Sequence, residues 1–154
     1  MVDLVGTCPM DFWEEWIAEG DAAGDAYTGE EWGWYTRHSY ARLGEPGDRF
    51  YVVAHGLLRG YAPITRVVHP RKELVLLKAG GLTTYDGYII CRCGDAVAVT
   101  LPTPIKGFRG IEKRWWDRGE EVPFPDWKTR MPAVPAKPKA KKTQADDLFQ
   151  KAQS

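Results

Sequence analysis

Cysteine is scarce in this 154-residue chain. Its three cysteines, Cys8, Cys91 and Cys93, are an odd number, and the last two stand too close in sequence to form a natural disulfide pair. A disulfide-stapled secreted fold is therefore not expected, and cytoplasm is the expected compartment. No window approaches the ~18 consecutive apolar residues of a membrane span. The opening residues, Met1-Val2-Asp3-Leu4-Val5-Gly6, have no basic segment leading into an apolar run, so no secretory signal is expected. Several enzyme motifs are missing as well. No Gly-rich phosphate loop opens a helix, and neither G-x-S-x-G nor H-E-x-x-H occurs. Cys91-Arg92-Cys93 puts two thiols on one face of a strand, but the spacing is shorter than structural zinc sites use. Buried thiols, with no metal and no cofactor, are the expectation. Cys8, beside Pro9, serves as a nucleophile only if the fold brings a histidine to it.

Positive charge is missing from the N-terminal fifth. Residues 1–31 hold nine Asp/Glu and no Lys/Arg, residues 32–128 hold fifteen Lys/Arg against ten Asp/Glu, and residues 129–154 hold six against two. The formal net charge of zero thus conceals an acidic head, a basic body and a basic tail. Such segregation bears on partners rather than on fold. A basic body suits a polyanion, and an acidic head shields that surface or faces away from it.

Aromatic side chains are plentiful, with seven Trp, seven Tyr and five Phe. A chain of ~150 residues buries roughly two-thirds of its unfolded surface and needs no staple to fold. Phe12, Trp13, Trp16 and Ile17 recur at helical spacing, with Asp11 as an N-cap and Gly20 as the stop, which predicts an amphipathic helix over 11–20. Residues 20–31 read as a loop. Short β runs follow at 32–38, 49–54, 57–68, 73–78, 87–93 and 96–101. Glu45-Pro46-Gly47-Asp48 marks a turn, and His55-Gly56 marks a tight hairpin. The expected fold is α+β: a small, mostly antiparallel β-barrel of five or six strands over residues 1–128, with the helix packed on it through Trp13, Trp16 and Ile17. Residues 129–154, rich in Pro, Ala and Lys, are expected to form a disordered basic tail.

Two segments carry the candidate site. In Trp32-Gly33-Trp34-Tyr35-Thr36-Arg37-His38, strand alternation sends Trp32 and Trp34 one way and Tyr35 and Arg37 the other. In the stretch from 104 to 118, Arg109, Lys113, Arg114 and Arg118 stand beside Phe108, Trp115 and Trp116, and Gly107 and Gly110 allow close backbone approach. Basic side chains interleaved with aromatics are the footprint of single-stranded nucleic acid. The expected binding set is Trp32, Trp34, Arg37, His38, Arg109, Lys113, Arg114 and Trp115, with no catalytic residue assigned.

The order of helix, loop and Arg-terminated strand continues into Leu43-Gly44-Glu45-Pro46-Gly47-Asp48-Arg49-Phe50-Tyr51-Val52-Val53 and then Arg59-Gly60-Tyr61-Ala62-Pro63-Ile64-Thr65-Arg66-Val67. Over residues 11–70 this resembles the ASCH/EVE group of the PUA-like superfamily, small pseudo-barrels with a P-G-D turn feeding a strand. The resemblance implies recognition of RNA, or of modified bases in RNA or DNA, in a cleft near the barrel mouth. Some ASCH members resemble hydrolases of modified nucleosides. Their G-x-K-x-x-E-x-R signature is not kept: Asp21-Ala22 follow Gly20 without a Lys, and only Arg37 can stand for the motif's Arg. In the tail, Gln144-Ala145-Asp146-Asp147-Leu148-Phe149 resembles the bacterial sliding-clamp-binding peptide, which implies a protein contact through Gln144, Leu148 and Phe149.

Three classes of function follow. The first is a nucleic-acid-binding module reading RNA, or modified or single-stranded nucleic acid, through the aromatic–basic cleft. The second is a small phage-type anti-defence or regulatory protein that binds a host protein, with the acidic head as a nucleic-acid mimic. The third is an ASCH-like hydrolase, for which Glu31, Asp48 and Glu112 are the candidate bases.

Overall fold

Residues 1–20, 22–23, 31–76, 82–93 and 96–129 are described by the structure, a computed structural model, with Glu19 and residues 69–76 and 82–86 as backbone only. The tail residues Gln144, Leu148 and Phe149 lie outside the described residues, as does most of the loop expected at 20–31. The strands are β1 (Leu4–Thr7), β2 (Glu31–Thr36), β3 (Arg49–Ala54), β4 (Leu57–Leu76), β5 (Leu82–Cys93), β6 (Val99–Thr100), β7 (Ile111–Lys113) and β8 (Val122–Pro123). The one α-helix among the described residues, α1 (Trp13–Glu19), follows β1. None of the described helices is long and apolar enough to cross a membrane.

Six strands form one sheet in the order β2-β5-β4-β3-β1-β7, and β6 pairs with β8 apart from it. The sheet is mixed, which corrects the mostly antiparallel expectation. β1 runs parallel to β3, with Leu4 opposite Phe50, while the other neighbours are antiparallel. Parallel pairing needs a long crossover, and here α1, β2 and the turn at Glu45-Pro46-Gly47-Asp48 provide it. The two β runs expected at 57–68 and 73–78 are one strand. β4 pairs with β3 through Leu57 to Pro63 and with β5 from Ile64 onward, and its register shifts between Val68 and Arg71, around Pro70. A bulge is where a strand tolerates proline, which has no N–H to give the ladder.

The sheet buries both faces of its central strand. Phe50, Val52 and Ala54 of β3 join Leu4, Trp13, Ile64, Ile90 and Ile111 on one side. Tyr51 and Val53 join Val5, Leu58, Leu101, Ile105 and Trp116 on the other. This explains why 49–54 reads as an apolar run rather than an alternation. α1 lies on the first side: Trp13 is fully buried, and Trp16 and Ile17 are partly buried against the core, as expected. Gly20 ends it with φ 81°, its N–H donating to the carbonyls of Trp16 and Ile17. Asp11 does not cap it. A 3-10 turn at Met10–Phe12 leads into the helix, and Phe12 holds the cap position without a side-chain bond.

Buried polar groups pin the ends of the chain to this core. The Asp3 carboxylate, fully buried, accepts from the Arg49 N–H at 2.9 Å, from Arg114 Nε at 2.8 Å and from Arg118 at 2.9 Å. Asp48 accepts from the N–H groups of Val2 and Glu45 and so braces the turn. Arg59, with no exposed surface, donates to the carbonyls of Ala54, Trp127 and Thr129, and its guanidinium lies 4.8 Å from the Trp13 ring. Burial lowers its pKa to about 10, still charged at neutral pH. On the other side, Glu121 accepts from the Tyr51 hydroxyl at 2.5 Å and from Trp116 Nε1 at 2.9 Å, and pairs with Arg49 at 3.1 Å.

Replacing Trp13 by Ala is expected to cost about 3–5 kcal/mol in urea unfolding. Asp3→Asn is expected to cost roughly 2–3 kcal/mol, below the range for fully buried pairs because both guanidinium groups keep some water. Acid should weaken the fold in two steps. Burial, with the Arg59 charge, holds the His55 pKa below the usual 6.5. The unfolded chain then takes up that proton first, so stability is full above pH ~6.5 and falls as pH drops through the folded value. Burial raises the Asp3 pKa, but the Arg49 N–H, Arg114 and Arg118 together outweigh it and hold it below 3.8. Its contribution is present above pH ~3.8 and lost below. His55→Asn, which suits the left-handed φ of 48° at that position, should erase the first step and keep the second in denaturation midpoints measured against pH.

Candidate functional site

Where the sheet curls round, edge strand β2 faces β1 across a cleft of about 520 Å3. Alternation along β2 holds as expected: Trp32, Trp34 and Thr36 are half-buried, while Gly33, Tyr35 and Arg37 are exposed. Trp34 reaches across to the Phe50 ring at 4.9 Å and the Trp16 ring at 5.7 Å, both edge-to-face. This approach needs a glycine on β1. A β-carbon on Gly6 would stand 2.8 Å from the Trp34 ring and 2.9 Å from Phe50. Trp34 therefore serves the core on one side and the cleft on the other. Trp32 lines the same cavity one turn of the pleat further on.

The opposite wall is Thr7, Pro9, Phe12, Glu15 and Trp16, from the end of β1 and the start of α1, and the third side is the loop Phe108-Arg109-Gly110. Gly110 holds φ 76°, and a β-carbon there would meet His38 at 2.7 Å, so the loop lies directly on the His38 ring. His38 is itself fixed: its Nδ1 accepts from the Tyr40 N–H at 3.2 Å, and the two rings stand 4.7 Å apart. The loop is tethered on its other side by the Phe108 N–H, which donates to the Thr7 hydroxyl at 3.2 Å. Arg109 is exposed at the rim.

Arg92 lies on the floor. It is the register partner of Trp32 on β5, is 3% exposed, and its guanidinium carbon stands 5.7 Å from the Trp34 and Phe50 rings and 5.8 Å from Trp16. One of its nitrogens donates to the Ala23 carbonyl. Sequence reading missed it. The signal was a lone charge inside the apolar run Ile89-Ile90-Cys91-Arg92-Cys93, on the face opposite the two thiols. Cys91 and Cys93 are thiols rather than disulfides, and no group of three His, Cys, Asp or Glu is placed to hold a metal among the described residues.

The structure thus brings together Trp32, Trp34 and Arg109, with His38 behind the loop. It does not bring in the rest of the expected set. Arg37, one residue past β2, is exposed and does not line the cleft. Lys113 lies 5.1 Å from the Tyr40 ring. Arg114 is committed to Asp3 and to the Trp116 carbonyl. Trp115, 56% exposed, stands in a second groove, with Phe108 between the two. The candidate bases lie elsewhere too: Glu31 pairs with Arg66 at 3.0 Å, Asp48 braces its turn, and Glu112 borders the second groove. Hydrogen bonds from Thr65 and Arg66 hold the Glu31 carboxyl below its usual range.

Gly6→Ala should displace the Trp34 ring into the cleft, cost about 1–3 kcal/mol as an overpacked core does, and change the near-ultraviolet circular dichroism of the tryptophans. Unchanged stability and spectrum would contradict the contact. No protein-family model, curated protein or solved structure matches the chain, so the meaning of the cleft rests on its residues.

Proposed function

We propose that the chain is a nucleic-acid-binding module, an ASCH/EVE-like pseudo-barrel of the PUA-like superfamily that takes an unstacked or modified base of RNA or DNA into the cleft between β2 and the 108–110 loop. The observation that carries this reading is the meeting of Trp32 and Trp34 with Phe108 and Arg109 across one cavity of about 520 Å3, within the size range of small-molecule sites. Flat aromatic walls hold a base by stacking, and they tolerate many sequences because every base has a π-face. Arg109 at the rim meets the phosphate, and Arg92 on the floor gives the cavity a cationic base. A curled six-stranded sheet with one N-terminal helix supports the superfamily reading.

Fluorescence anisotropy of labelled single-stranded RNA and DNA at two salt concentrations tests it. Affinity should fall by roughly 0.7 log units per log salt for each phosphate neutralised, and Arg109→Ala should remove about one such increment. Trp32→Ala should cost about 1–3 kcal/mol of binding. Trp32 is the better probe because Trp34 also supports the core. Absence of binding to every RNA, DNA and modified oligonucleotide at low salt overturns the proposal.

The tail peptide around Gln144, Leu148 and Phe149 is part of the same proposal, as a tethered contact to the sliding clamp. A tether raises the local concentration of a weak peptide without any new contact. Leu148→Ala with Phe149→Ala should abolish capture of the clamp, and capture equal to wild type counts against it.

A further inference from the structure

The second groove, about 740 Å3, differs in chemistry from the cleft. Its floor is apolar, with Leu101, Ile105 and Trp116 buried. Two aromatic rings, the exposed Trp115 and the half-buried Phe108, stand edge-to-face at 5.9 Å above that floor. Glu112 and Glu120 border it. The Glu120 carboxylate is fixed in place by the Asp117 N–H at 2.9 Å. Among the described lining residues, two carboxylates against one cation, Lys106, disfavour a phosphodiester and favour a cationic peptide.

An aromatic groove with an acidic border is the chemistry that accepts a polyproline II segment carrying basic residues. The chain supplies one: Pro132-Ala133-Val134-Pro135-Ala136-Lys137-Pro138-Lys139. Its prolines recur every third residue. A polyproline II helix has 3 residues per turn, so Pro132, Pro135 and Pro138 would share one ridge, with Lys137 and Lys139 off it. The segment is also within reach. Glu120 and Thr129 are nine residues apart, at most ~30 Å if extended. Hydrogen bonds from Trp127 N–H to the Phe124 carbonyl and from Thr129 N–H to the Asp126 carbonyl fold that stretch back and shorten it. The six to nine residues from Thr129 to Pro135 and Pro138 span at most ~20–30 Å, and because Arg59 holds the Thr129 carbonyl on the Trp13 side, they reach the groove by passing round the edge of the sheet.

We propose that this groove seats the chain's own residues 132–139, bound in cis as a basic polyproline II segment, with the proline ridge on Trp115 and Phe108 and Lys137 and Lys139 toward Glu112 and Glu120. Nuclear magnetic resonance of the labelled full-length chain, without nucleic acid, tests this. Nuclear Overhauser contacts are expected between the Pro132 or Pro135 ring and the Trp115 indole, unchanged on tenfold dilution. Pro135→Ala with Pro138→Ala should remove them. Glu112→Lys should weaken them at least several-fold, and adding Lys137→Glu should restore them. Tail prolines at random-coil shifts with no contact to Trp115 overturn the proposal. So do contacts that vanish on dilution, which assign the groove to a second copy. An added single-stranded oligonucleotide that moves the Trp115 indole resonance as far as that of Trp32 also overturns it and assigns the groove to nucleic acid.

Discussion

The contact between the Trp34 indole and Gly6 sets the shape of this molecule. A side chain at position 6 would stand 2.8 Å from the ring, so only glycine lets β2, at one end of the sheet order, fold over β1 near the other end. That approach curls the sheet, buries Phe50 beneath the indole and leaves a cleft where β2 has no further strand to pair with. The same ring is both a core element and a wall, which couples the stability of the fold to the shape of the cavity. A substitution at this contact acts twice, because a smaller ring loses packing and a larger neighbour fills the cleft.

Charge does separate work on the two sides of Phe108. On the cleft side the cations Arg92, below, and Arg109, at the rim, outnumber the one lining carboxylate, Glu15. On the groove side the carboxylates Glu112 and Glu120 predominate. A single ring thus divides a surface suited to an anion from one suited to a cation. The acidic head is not one uniform surface either. Asp3 is buried beneath two arginines and Glu31 is paired, while Asp11, in the 3-10 turn, and Glu14 and Glu15, at the start of α1, are exposed.

Local chemistry was legible in the sequence, and long-range pairing was not. The Gly20 stop, the turn ending in Asp48, the alternation of β2 and the burial of Trp13 all depend on residues a few positions apart. The parallel pairing of β1 with β3 joins residues about 46 apart through a four-residue strand, and no local turn signal announces it. β4 looked like two runs because Pro70 interrupts the pattern, yet a register shift absorbs the proline. The basic stretch from 109 to 118 looked like one binding surface. In three dimensions Arg114 and Arg118 turn inward to a carboxylate at position 3, which composition does not reveal. Arg92 was hidden by the opposite logic, as a charge inside an apolar run.

The most direct measurement is a map of amide and indole resonances of the full-length chain titrated with short single-stranded RNA and DNA at low salt. The largest shifts are expected on the Trp32 and Trp34 indoles and on residues 108–110, with Arg37 and Arg114 little moved. Shifts centred anywhere else on the described surface, or none with any oligonucleotide, would contradict the proposed site.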